Sequence, residues 1–472
     1  MRYVDFSVRA RDWQDGRFKV EVTQSPLDRM REPACVTYLT ALARPLRNLE
    51  RKQIASPDLR GLGMALSEML LPRAVREMLL ASLASLDPDS GLRLRLVLDD
   101  LRVANLPWEY MYLSPVSDED GPYGFLALDP RISIVRHEAV PIAPGSVAAR
   151  LPLKLVVGFA SPAQYPSLDL EAERQYIEAA LDGVDGVQVT FVEHLTVARL
   201  ETACQGAHMF HFAGHGSFMW DDGGQTDDSP ARFPPRGRGG CGVILLEDAQ
   251  GDAIAFPVEK LALTLRGAGV RMVFLGGCET GRRDGVNSWS GVAPALMRVG
   301  IPAAVAMQYA VFDDAAIAFA RRFYVALSAG LSLDEAVIAG RLAVLNRGCK
   351  DDVEWGVPVL YMRSGDGVVF PEMAADPTLE RLRSGQRVKV SQRVKELRDR
   401  LTGVEVAEAP LSGLEVNQDI AAVATGGEAL GARVDKLASG VIRADQKVER
   451  VGPGGKVTGI HVHRLGQEAD HR

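Results

Sequence analysis

Two short stretches decide how this chain is read: residues 209–216, MFHFAGHG, and residues 272–281, MVFLGGCETG. Each is a brief, mostly apolar run of the length of a buried strand, and each breaks into glycines around one reactive side chain, His215 in the first and Cys278 in the second. If both strands belong to one parallel sheet, side chains at their carboxyl ends converge on a single crevice, and glycines there let a substrate backbone approach closely. A cysteine and a histidine brought together in this way form a nucleophile and its base, because a nearby imidazolium favours the thiolate.

The surrounding pattern is that of such a sheet. From residue 150 to 371, short apolar runs alternate with helical periods: Leu153–Phe159, Val187–Val192, Met209–Ala213, Val243–Leu246, Val270–Leu275, Ala303–Met307 and Val357–Tyr361 read as strands. The fold class expected is therefore α/β, a mostly parallel sheet in three αβα layers. Residues 1–149 form a preceding α/β module that opens on two alternating strands, and the segment Pro141–Gly145 has the composition of a linker. Between residues 217 and 240 the reading is a long polar loop carrying Asp221, Asp222, Asp227 and Asp228, expected to border the site that His215 opens.

Residues 372–472 lose their aromatics and repeat at 28 residues, so that NQDIAAVATGGEALGARVDKL at 417–437 lies over DQKVERVGPGGKVTGIHVHRL at 445–465. A third, degenerate copy precedes them, with Gly403 and Val406 in the same columns and Gln392-Arg393-Val394 offset by two residues. Short apolar runs broken by Gly-Gly suit stacked β-arcs, and the reading is a small β-rich repeat module for recognition or assembly, by self-association or by recruiting a partner.

Composition narrows the function classes. With 54 Lys plus Arg against 61 Asp plus Glu, the net charge of −7 supplies no electrostatic footprint for nucleic acid or an anionic membrane. The amino-terminal sequence alternates apolar and charged residues where a signal peptide needs an unbroken apolar core, so the chain reads as cytoplasmic. Five widely spaced cysteines without a C-x-x-C pair disfavour a disulfide framework and a structural zinc. Cys35, Cys204, Cys241 and Cys349 lack the glycine-bracketed context of Cys278 and read as structural.

A single reactive Cys with a His about 60 residues upstream is the arrangement of a caspase-type cysteine peptidase. Here the likeness is specific: His211–Gly216 and Leu275–Gly281 resemble the paired motifs of CHAT peptidases, the bacterial relatives of caspases and separases. Leu106-Pro107-Trp108-Glu109, Phe125–Pro130, Met307–Asp314 and Arg322-Phe323-Tyr324 with Leu327 resemble CHAT positions as well, so that the likeness spans residues 90–370. One departure is Gly276-Gly277 before the cysteine, where many CHAT sequences carry Ser-Ala or a similar small pair. By resemblance, Cys278 is the nucleophile, His215 the base, and the backbone N–H groups of Gly216 and Cys278 the oxyanion hole, with no metal or organic cofactor. His211 reads as structural.

The resemblance implies a bacterial signalling or defence endopeptidase with a specific protein substrate, such as a neighbouring gasdermin-like pore former. Asp313 and Asp314 are candidates for holding an Arg or Lys before the scissile bond, in competition with a role at a helix start. Two other functions use the same residues: a catalytically silent scaffold, and a thiol hydrolase or acyl transferase on the same dyad.

Overall fold

The computed structural model describes the chain except residues 28–31, 115–123, 139–151, 166–167, 182–186, 221–239, 277–291, 310, 312, 348–352, 364–366, 371–387, 395–399, 410–412, 421–427, 438–440, 449–455 and 466–472. It divides into two compact units, Met1–Glu372 and Met373–Arg472.

The first unit is built on one 11-stranded sheet. Its strands are β1 (Arg2–Gln14), β2 (Arg17–Gln24), β3 (Ala34–Thr37), β4 (Ser90–Leu98), β5 (Ile132–Arg136), β6 (Leu153–Phe159), β7 (Val187–Val192), β8 (Met209–Ala213), β12 (Met272–Gly276), β13 (Ala303–Met307) and β14 (Pro358–Met362). A small antiparallel sheet holds β9 (Gly216–Trp220), β10 (Gly240–Glu247) and β11 (Ala253–Pro257). The order in the large sheet is β3-β2-β1-β4-β5-β14-β13-β12-β8-β6-β7. The α/β class with a mostly parallel sheet is therefore the fold of this unit.

Strand direction places the site. β7, β6, β8, β12 and β13 run parallel, β14 runs against them, and β5, β4 and β1 follow β14. The carboxyl ends of the two parallel groups consequently open at opposite edges of the sheet. Within the first group the chain passes from β6 outward to β7 and then back across β6 to β8, so the order reverses between β6 and β8. In open α/β sheets that reversal leaves a crevice at the strand ends.

The expected linker at Pro141–Gly145 lies outside the described residues. The strands on either side of it share one sheet, because β5 pairs with β14 through Arg136 and Tyr361. Buried chemistry reinforces this seam. Arg136 donates to both oxygens of the fully buried Glu109, at 3.1 and 2.8 Å, and Gln308 Nε2 donates to Glu109 Oε2 at 3.1 Å. The Leu-Pro-Trp-Glu motif is thus a structural joint: Glu109 takes the charge of Arg136, and the Trp108 indole donates to Val103 O at 2.8 Å.

The strands show why both faces are covered. Phe210 and Phe212 alternate with His211 along β8; the two phenylalanines join a buried cluster with Ile244, Leu246, Leu261 and Leu296. This cluster includes residues of α7 (Val258–Ala268) and α8 (Val292–Val299). On the other side, α5 (Leu170–Leu181) packs on α9 (Asp313–Ser328), which packs on α10 (Leu333–Leu345). The sequence reading of 217–240 as one long loop is shortened by pairing, since β9 and β10 take residues from both of its ends.

The second unit has six strands: β15 (Val388–Val394), β16 (Arg400–Ala409), β17 (Gly413–Ile420), β18 (Glu428–Leu437), β19 (Val441–Val448) and β20 (Lys456–Leu465). They form two three-stranded parallel sheets, β15-β17-β19 and β16-β18-β20. Gln418 pairs with Gln446 and Val434 with Val462, the same columns the repeat defines, while Gln392 pairs with Gln418 at the two-residue offset of the degenerate copy.

Candidate active site

β8 and β12 are adjacent and parallel, with His211 opposite Phe274 and Ala213 opposite Gly276 as the last pair. His215 follows two residues later. It is buried, its carbonyl accepts from Leu245 N at 2.9 Å, and the Tyr165 ring lies against its imidazole at 5.6 Å between centroids. Backbone and ring are therefore held from different directions, by β10 and by the turn that follows β6. Cys278 lies outside the described residues, two positions beyond Gly276.

Both glycines on these strand ends answer to packing. A Cβ on Gly214 would stand 2.5 Å from the Phe212 ring and 2.9 Å from Ala160 O. One on Gly276 would stand 2.7 Å from His211 Nε2 and 3.0 Å from Glu173 Oε1. The Gly276 that departs from the usual small pair is thus matched to a buried neighbour. His211 stacks on Phe274 with centroids 4.5 Å apart, its Nδ1 lies 3.4 Å from Tyr324 Oη, and its Nε2 lies 3.8 Å from Glu173 Oε1. It is turned to the α5–α9 side and is built into the core beneath the end of β12.

The turn after β6 is anchored by a carboxylate the sequence did not single out. Glu247, buried at the end of β10, accepts from Ser161 N at 2.7 Å, and its other oxygen lies 2.8 Å from His194 Nδ1. Tyr165 N in turn donates to Pro162 O at 3.0 Å. Tyr165, Glu247 and Glu173 carry no local sequence signal, because each acts on residues at least 38 positions away through the sheet.

Among the other cysteines, Cys204 is buried and its thiol is pushed up to about 12 by desolvation, which removes it as a thiolate near neutrality. Cys35 is exposed on β3 and Cys241 half-buried on β10; Cys349 lies outside the described residues. Asp314 stands in the first turn of α9, where it accepts from Ala315 N at 3.0 Å and meets Arg347 Nη1 at 2.5 Å. The side chain of Asp313 lies outside the described ones. Gly216 begins β9, opposite Ile244 of β10. No group of three or more His, Cys, Asp and Glu side chains suited to a metal occurs among the described residues.

Comparison with known proteins adds the family. No curated protein matches the chain. Among solved structures it is similar to the Saccharomyces cerevisiae separase of a separase–securin complex, at 15% identity and a TM-score of 0.31, over 61% of this chain but only 16% of that one. It is also similar to RgpB of Porphyromonas gingivalis, from a complex of pro- and mature domains, at 12% identity and a TM-score of 0.38, over 70% and 78% of the respective chains. The CHAT domain matches residues 60–387, a span that takes in the Glu109 joint, the seam between β5 and β14 and both glycine-bracketed strand ends, and the chain belongs to the CHAT domain family.

Proposed function

We propose that the chain is a cysteine endopeptidase in which Cys278 is the nucleophile and His215 its base. The observation that carries this reading is register. Ala213 and Gly276 are the last paired residues of neighbouring parallel strands, and His215 and Cys278 each follow by two residues. The site also falls beside the reversal of strand order between β6 and β8.

In this scheme the Cys278 thiolate attacks the scissile carbonyl carbon, and the C–O electron pair moves to an oxyanion held by the N–H groups of Gly216 and Cys278. Collapse breaks the C–N bond, and the leaving amine takes a proton from His215. Water, deprotonated by His215, then cleaves the thioester and restores the thiol. The scheme uses no cofactor. We place the reaction in the bacterial cytoplasm, in signalling or defence, on a specific protein, with a gasdermin-like effector encoded nearby as the first substrate to test. Asp313 or Asp314 would favour Arg or Lys before the cleaved bond. The pairing of Asp314 with Arg347 makes Asp313 the first to examine.

The test combines a thiol-directed activity probe with mapping of new protein termini. Wild type should label on Cys278 and generate termini that vanish in Cys278→Ala and His215→Ala. Labelling without cleavage of any protein or peptide would overturn the peptidase reading in favour of other thiol chemistry. Cleavage after apolar residues, unchanged in Asp313→Ala and Asp314→Ala, would overturn the assignment of specificity.

A further inference from the structure

Three register columns of the repeat unit hold charges whose signs alternate. Lys389, Glu415 and Arg443 share one column, and Arg393, Asp419 and Lys447 another, in the sheet of β15, β17 and β19. Arg400, Glu428 and Lys456 share a third in the sheet of β16, β18 and β20. In all three, an acidic residue of the middle repeat lies between basic residues of the first and last. Opposite charges at paired positions of neighbouring strands stabilise a sheet and like charges destabilise it.

That pattern makes the two ends of the stack poor partners for each other. The columns of His461 and Arg464 run differently, with Glu405 and Arg433 in the first and Glu408 and Lys436 in the second. Head-to-tail stacking of two copies would set Arg443 against Lys389, Lys447 against Arg393 and Lys456 against Arg400, three like-charge pairs, against Arg464 on Glu408 and His461 on Glu405 of opposite sign, so that like pairs outnumber matched ones. Among the described residues β19 and β20 are outer strands of their sheets, and an outer strand offers its unpaired N–H and C=O groups to a further strand.

We propose that the β19–β20 edge binds a different polypeptide: a two-strand β-arc that adds one more rung, with carboxylates at the columns of Arg443, Lys447 and Lys456. The middle repeat is itself the pattern for that partner, since Glu415, Asp419 and Glu428 occupy those columns against this same rung. Backbone pairing supplies the affinity of such strand addition, and the charge columns supply its choice of partner. Repulsion between like ends keeps copies of this chain from polymerising on one another. The inference concerns recruitment and does not depend on the reaction catalysed.

The experiment uses the full chain and a synthetic peptide of residues 413–440 carrying Arg433→Glu and Lys436→Glu, so that Arg443, Lys447, Lys456, His461 and Arg464 each meet a carboxylate. Binding is followed by fluorescence anisotropy against salt. The peptide should bind at one site, with affinity falling as salt rises, and at least tenfold more tightly than a peptide of residues 441–468. The triple variant Arg443→Gln, Lys447→Gln and Lys456→Gln should weaken binding at least tenfold. Lys389→Gln with Arg393→Gln and Arg400→Gln removes the same number of charges from the same acidic columns at the opposite edge, and should leave it unchanged. Equal loss in both variants would overturn the choice of edge. Equal binding of a scrambled peptide of the same composition would reduce the edge to a nonspecific polyanion site. Concentration-dependent polymers of the wild-type chain in sedimentation, abolished by removing residues 373–472, would replace the foreign partner with a second copy.

Discussion

Gly276 is where the family likeness and the packing meet. A methyl group there would stand inside contact distance of His211 Nε2 and Glu173 Oε1, so Gly276→Ala should destabilise the fold by about 1–3 kcal/mol. Chemical denaturation measures this, and adding His211→Ala should recover part of the loss, because the clash is with that imidazole. Tyr165 makes a different prediction. Its ring lies against His215, so Tyr165→Ala should lower kcat by about ten- to a hundredfold through misplacement of the imidazole, while Tyr165→Phe should retain most activity; steady-state kinetics on a cleaved peptide decides. The proposal of His215 and Cys278 rests on glycines flanking a reactive residue at a strand end, which is local information. Tyr165, Glu173 and Glu247 were not, because nothing within a few residues of each distinguishes it until the sheet assembles.

Buried ions join strands and helices of the first unit alongside the apolar packing. Glu109 carries the charge of Arg136 at the seam between β5 and β14, and truncation leaves that guanidinium buried without its partner. Glu109→Ala should therefore cost about 3–5 kcal/mol, seen as a lower denaturant midpoint with loss of both halves of the sheet together. Just past β5, His137 Nδ1 lies 3.1 Å from Met362 O, and Arg95 Nη2 lies against the ring, 2.9 Å from Nδ1 and 2.7 Å from Nε2. Burial first, and then the Arg95 charge, hold its pKa below the ordinary value. The unfolded chain takes up this proton as pH falls below about 6.5, and the folded chain takes it only at lower pH. His137 accordingly withdraws stability as pH drops below that point, and His137→Gln should flatten the slope of unfolding free energy against pH below about 6.5.

At the scale of the molecule, strands before and after residue 150 share the 11-stranded sheet of the first unit. Residues 150–372 expressed alone would present the edge of β14 that β5 covers in the whole protein, and should be recovered largely aggregated. Residues 1–372 form a compact unit containing the complete sheet and should remain soluble, unfold cooperatively and keep any peptide-cleaving activity of the full chain. Gel filtration and calorimetry of the two fragments make the comparison. No helix among the described residues is long and apolar enough to cross a membrane.

Residue spacing alone was enough for the parallel strands and the 28-residue repeat with its two-residue slip, and it is what nominates the glycine-bracketed histidine and cysteine, because periodicity and backbone freedom are properties of neighbours in the chain. Which strands lie side by side depended on the assembled sheet. The union of β5 with β14, the opposed directions of the two parallel groups, the Glu109 joint and the carboxylate that anchors the turn before Tyr165 all join residues distant in sequence. Their energies arise only when burial removes water from both partners at once, and a linear pattern carries no record of which two will meet.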